Sequence, residues 1–269
     1  MNNIEENQDT LYKIERQSAT QEFLICLVAA ANHLHSTMQS LKLDNFTWLK
    51  CDMAEPFLEH LSFRIGNQLF YVQIVDIDGK LPIPTSSSAL KIVSEGSKGH
   101  TCLMPMKLEK DNWKPVGESW GLLNAQTGKR LDPTSLVTNE DIEMSDWEIH
   151  DFGVQIVVDH IKDKLGFEMI SAQGNPKVDP SLWFNGESGP EWVVLRAVRY
   201  PETEGTLPDH IDAIRDSCAR IGKTGHFASV CVANGDETFE YEDTGASLPV
   251  IRGKRLCAKF KGLKALYAN

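Results

Sequence analysis

Apolar residues recur at helical spacing from Phe23 through Leu24, Cys26, Leu27, Ala30, Ala31, Leu34 and Met38 to Leu41. The pattern predicts one long amphipathic helix reaching about Leu43, opened by Ser18 and Gln21 at the spacing of a capping box. From Leu61 to Ile77 the period falls to two around Gly66-Asn67-Gln68, with Phe70, Val72 and Ile74 on one face and Tyr71, Gln73 and Val75 on the other. That is the signature of a hairpin. Residues 79–100, rich in Pro, Ser and Gly, read as a long polar connection before a short strand near Cys102 to Met106. Residues 110–140 read as loop around little regular structure.

The second half alternates more regularly. Ser145 and Glu148 form another capping box, and Ile149, Phe152, Val154, Val157, Val158, Ile161 and Leu165 carry a helix to Gly166. Strand patterns follow at Phe167 to Ala172, Ser181 to Phe184 and Trp192 to Arg199, punctuated by Gly174-Asn175-Pro176 and Gly186-Glu187-Ser188-Gly189-Pro190. A helix from about Pro208 to Ile221 and a strand from His226 to Ala233 complete the order αβββαβ. The run from Trp192 to Val198 is apolar on both faces apart from Arg196, so this strand is expected between others.

A chain of 269 residues fits one large or two modest domains, at roughly 150 residues each. The pattern divides it into an N-terminal α+β region, 1–138, and an α/β core, 139–269. The longest apolar run, Phe23 to Ala31, falls well short of the roughly 20 residues of a membrane span, and the acidic opening lacks a signal peptide's basic start. The expectation is a soluble, cytoplasmic protein without membrane contact. Its six cysteines lie at least thirteen positions apart, which excludes a CxxC metal or redox spacing.

Charge adds a direction. The net charge is -11, yet the last twenty residues hold six bases and no acid. Nine acids against one lysine fall between Asp132 and Asp163. This asymmetry points to a nucleic acid or a protein partner, with Arg252, Lys254, Arg255, Lys259 and Lys261 as the candidate nucleic-acid contacts. The same residues also fit a half-buried edge strand, in which Leu256, Ala258 and Phe260 alternate with Cys257, Lys259 and Lys261.

The αβββαβ order, with an acid opening the second strand and a base late in the third, resembles the restriction-endonuclease-like PD-(D/E)XK phosphodiesterase superfamily over residues 145–233. In that family a helix Glu, a strand-opening Asp and an acid-x-Lys pair converge on one or two divalent metals that activate water against a phosphodiester. The resemblance implies Glu148, Asp179 and Arg196 as catalytic positions, with Glu148 and Asp179 as ligands of Mg²⁺ or Mn²⁺. The sequence departs from the motif at the acid two residues before the base, where it reads Val194, and in carrying Arg in place of Lys. Mg²⁺ needs hard oxygen ligands, and an arginine stays protonated and clamps phosphate instead of acting as a base. Glu191, the nearest spare acid, lies on the opposite face of the strand. The expectation is therefore a nuclease-like fold with an incomplete site that binds nucleic acid or a protein partner without strong catalysis. An active metal-dependent nuclease and a purely structural subunit stand as alternatives.

Local chemistry accounts for the same residues in other ways. Glu148 caps its own helix, Asp179-Pro180 opens a turn, and Arg196 pairs with an acid. Gly222-Lys223-Thr224 lacks the earlier glycine of a phosphate loop and follows a helix. Cys218, Cys231 and His226 do not make a thiol-base pair, because His226 and Cys231 face opposite sides of a strand. His150 and His160, ten apart, diverge on the helix and support no metal site.

Overall fold

A computed structural model describes residues 19–50, 60–84, 87–237, 239 and 247–267. The chain divides into two compact units. One takes in described residues up to Ser145 together with Ile251–Lys254, and the other runs from Asp146 to Val250 and resumes at Arg255. Both are mixed α/β.

In the N-terminal unit α1 (Gln21–Ser40) is followed by β1 (Phe46–Lys50), β2 (Leu61–Ile65), β3 (Gln68–Asp76), α2 (Ser87–Gly96), β4 (His100–Glu109), β5 (Asn112–Pro115) and β6 (Leu123–Asn124). The strands pair in the order β1-β2-β3-β4-β5, with β6 beside β4. The cap of α1 is Thr20, whose Oγ1 accepts the Phe23 N–H at 3.1 Å; Ser18 lies outside the described residues. The helix buries Phe23, Cys26, Leu27, Ala30 and Leu34 in a core with Phe63, Phe70 and Met104. Each large side chain so buried contributes about 1.5–3 kcal/mol. The hairpin forms as expected, with Ile65 opposite Gln68 across Gly66-Asn67.

The long polar connection holds a helix instead. Strands β3 and β4 are parallel, and parallel neighbours need a crossover. α2 supplies it, placing Leu90 against Leu69 and Tyr71. Its flanking serines and short apolar stripe conceal it in the sequence.

In the C-terminal unit α3 (Asp146–Asp159) continues as a wider helical turn over His160–Lys164, followed by β7 (Glu168–Ala172), β8 (Leu182–Gly186), β9 (Gly189–Arg199), α4 (Ile211–Cys218), β10 (Gly225–Asn234), β11 (Leu256–Phe260) and β12 (Lys264–Tyr267). The sheet order is β11-β10-β9-β8-β7, with β12 also pairing β10. The chain therefore follows the αβββαβ order, and β9 lies inside the sheet between β8 and β10. β7, β8 and β9 form an antiparallel meander, and β10 returns parallel to β9 after α4. α4 covers one face, where Ile214 and Cys218 meet Trp183, Trp192, Val194 and Phe227. α3 covers the other at close range, since a Cβ on Gly153 would lie 3.0 Å from that of Ala197.

The basic C-terminal run is split between the two units. Arg252 belongs to the N-terminal one, 4% exposed, where Nη1 donates to the Asn67 carbonyl at 3.1 Å and Nη2 to that of Ser97 at 2.8 Å. It is a buried tie and not a surface for nucleic acid. Lys254, in the same unit, lies 3.8 Å from Asp141. Replacing Arg252 with Met removes two charge-assisted bonds and strands two carbonyls, so urea unfolding is expected to show a loss of about 2–4 kcal/mol; a change below about 1 kcal/mol contradicts the tie.

Candidate functional site

The site begins where the C-terminal sheet forks. β8 stays paired with β9 from Gly186 opposite Gly189 to Leu182 opposite Val193, and the Ser181 N–H still donates to the Val193 carbonyl at 2.9 Å. Beyond that point β9 runs on beside β10 to Arg199 opposite Val232, while the 174–180 loop leaves for β7. Gln173 braces this loop, with Nε2 donating to the Val178 carbonyl at 2.5 Å and Oε1 accepting the Asn175 N–H at 2.7 Å. The fork holds Asp179 beside Arg196.

These two candidates form a two-point ion pair. Arg196 Nη1 donates to Asp179 Oδ1 at 2.9 Å and Nη2 to Oδ2 at 2.6 Å, with Nη1 also reaching the Leu195 carbonyl at 2.8 Å. Asp179 is 7% exposed and the Arg196 side chain 24%. A buried carboxylate demands such a partner, because an uncompensated charge there costs several kcal/mol. His210, just ahead of α4, brings Nε2 to 3.9 Å from Asp179 Oδ2.

The sequence reading passed over His210 and weighed His150 only as a metal ligand paired with His160. The buried face of α3 carries His150, whereas Glu148, two residues earlier and about 200° round the helix, lies half-buried. Burial, and then the Arg196 charge, push the His150 imidazole down to about 4 from the model-peptide 6.5, with Asp179 acting in the opposite sense. Its Nε2 is buried without a hydrogen-bond partner. The available signal was a histidine inside the buried helical stripe of Ile149, Gly153, Val154 and Val157. His210 had only its place before a helix.

The position of the expected second acid is plain core. Val194 is fully buried among Trp183, Trp192, Ile214 and Cys218. Glu191 is engaged elsewhere, accepting from His226 Nε2 at 2.6 Å. The Cys218 thiol is pushed up to about 12 by burial and then by the Asp179 charge, which makes it a packing residue at neutral pH. Among the described residues no three His, Cys, Asp or Glu side chains gather as a metal-holding group. With both Asp179 oxygens bonded to a guanidinium, this arrangement does not fit a divalent ion.

The remaining candidate bases lie on β11 or just beside it, next to β10. Arg255 pairs with Asp236 at 3.0 Å. Lys259 and Lys261 are exposed, and with Lys264, which the sequence reading did not single out, they line a pocket of about 290 Å³.

A family model described as "Domain of unknown function (DUF8840)" matches residues 147–266. No curated protein and no solved structure matches the chain. The matched segment is similar to that family and spans α3 through most of β12. No helix among the described residues is long and apolar enough to cross a membrane.

His150 gives the site a titration signature. Its neutral form is held in the folded chain down to about pH 4, whereas the unfolded chain binds the proton near the ordinary 6.5. The stability it contributes is complete above about pH 6.5 and is lost as pH falls toward 4, at about 1.4 kcal/mol per unit. The stability difference between the parent and His150→Phe is expected to shift against the parent by about 2 kcal/mol from pH 7 to pH 5 in urea titrations; a pH-independent difference contradicts the assignment.

Proposed function

We propose that the C-terminal unit is a nuclease-like module that binds nucleic acid without strong catalysis, its metal position taken by an internal ion pair. The observation that carries this reading is the two-point bond between Arg196 and Asp179. In the family that the segment resembles, the strand-opening Asp ligates a metal. Here a guanidinium of fixed charge meets both oxygens of that carboxylate, and an incoming dication would have to break the pair against its own repulsion from Arg196. Val194 removes the next ligand.

The αβββαβ order, the antiparallel meander and the parallel return through α4 favour a nuclease-like core over an unrelated α/β arrangement. The nucleic-acid part of the reading rests on Lys259, Lys261 and Lys264, gathered beside one strand edge of a chain whose net charge is -11. An acidic protein holds polyanions only where its bases are concentrated.

A mobility-shift titration over a salt series, paired with a cleavage assay in Mg²⁺ and in Mn²⁺, tests both parts. Three phosphate contacts predict a slope of log affinity against log salt of about -2 on single strands and -3 on duplex, with weak or no cleavage. Robust cleavage abolished by Asp179→Ala would overturn the reading in favour of an active nuclease. Absence of binding at low salt would overturn it in favour of a protein partner.

A further inference from the structure

The lysine pocket and the ion pair share one face of the C-terminal sheet. In the parallel register Phe227 lies opposite Val194 and Ser229 opposite Arg196. On the far side of β10, Lys264 pairs with Phe227 and Lys259 with Cys231, so both lysines project to the same face as Arg196. Lys261 stands in the turn between them, where Gly262 takes a φ of 96° that other residues rarely adopt. One segment walls the pocket off from the ion pair: Gly205 lies against Arg196, and a Cβ there would come within 2.6 Å of the arginine's own. Its N–H donates to Ser229 Oγ at 2.8 Å. The preceding Glu204 lines the pocket, and buried Phe227 contributes an apolar lining.

We propose that this pocket holds a phosphomonoester, the terminal phosphate of a nucleic-acid strand. The proposal rests on the nucleic-acid reading for the identity of the strand, while the phosphate chemistry stands on the pocket itself. Among the residues that line the pocket, three lysines against Glu204 give a formal charge of +2. That balances a monoester, which carries about -1.5 to -2 at neutral pH, better than a backbone diester at -1. The space of about 290 Å³ lies at the lower limit of small-ligand pockets, suited to a phosphate with its sugar and too small for a duplex. Ser229 Oγ, already accepting the Gly205 N–H, keeps its own proton to donate to a phosphate oxygen. The lysines are point charges that adapt to a tetrahedral anion from several sides.

The test uses the full chain and four probes: thymidine, thymidine 5′-monophosphate, and decathymidylate with hydroxyl or phosphorylated ends, titrated calorimetrically at one salt concentration. Phosphorylation of the nucleoside, or of a strand end, is expected to tighten binding by about ten-fold or more. The advantage is expected to vanish in the combined Lys261→Gln, Lys264→Gln variant and to persist in Lys91→Gln, which removes an exposed charge that belongs to the N-terminal unit. Both substituted lysines are exposed, so the variant keeps its fold, checked by its circular dichroism and melting temperature. Equal affinity for phosphorylated and hydroxyl probes, or an advantage that survives the double substitution, overturns the proposal. Decathymidylate bound equally well with either end overturns the pocket and leaves the nucleic-acid reading standing. The monophosphate bound through Lys261 and Lys264 while decathymidylate fails to bind upholds the pocket and removes the nucleic-acid reading.

Discussion

The ion pair between Asp179 and Arg196 is the constraint around which the C-terminal unit is arranged. A carboxylate 7% exposed at the fork of a sheet is tolerated only with a compensating charge at hydrogen-bond distance. Arg196 provides that charge from the middle of an otherwise apolar strand. The pairing requires β8 to stop at Leu182, so that the preceding loop can bring Asp179 alongside β9 and Gln173 can hold the loop in place. It also sets the surroundings of His150, kept neutral by burial and by the nearby guanidinium.

The same pair separates two kinds of chemistry that one scaffold can carry. A carboxylate facing open space invites a metal, and phosphoryl transfer then follows from positioning and charge neutralisation. A carboxylate clasped by arginine has its charge satisfied from within. On the proposed reading, affinity for phosphate then falls to other cations, and the pocket beside β11 and β12 is lined by three lysines and one glutamate. The division of the C-terminal tail reinforces this arrangement. Ile251–Lys254 joins the N-terminal unit and Arg255 onward the other, which leaves Arg252 a structural role and concentrates the exposed charge on Lys259, Lys261 and Lys264.

Much of the C-terminal unit was legible in the sequence because its signals are local. Short apolar runs marked β8, β9 and β10, Gly and Pro clusters marked the turns, and the Asp179-Pro180 corner with an arginine inside an apolar strand marked the pair. What was not legible depends on distance along the chain. α2 exists because β3 and β4 run parallel, and strand direction is not written in residues 79–100. Arg252 reads as one more base in a basic run, yet its partners, Asn67 and Ser97, lie 185 and 155 residues away. His150 looked like half of an unworkable histidine spacing, and its significance comes from Asp179 and Arg196 on other elements. The cap of α1 falls on Thr20, two residues beyond the Ser18 that the capping-box spacing picked out.

The most direct test of the central claim is a double-mutant cycle on Asp179→Asn and Arg196→Met, read by urea unfolding. If the pair is the internal substitute for a metal, each single substitution strands a buried partner and costs about 3–5 kcal/mol, while the double variant recovers most of that loss and leaves a coupling of at least about 2 kcal/mol. Additive losses, with coupling below about 0.5 kcal/mol, would mean that the two side chains are neighbours without mutual dependence and that the site is not built on their bond.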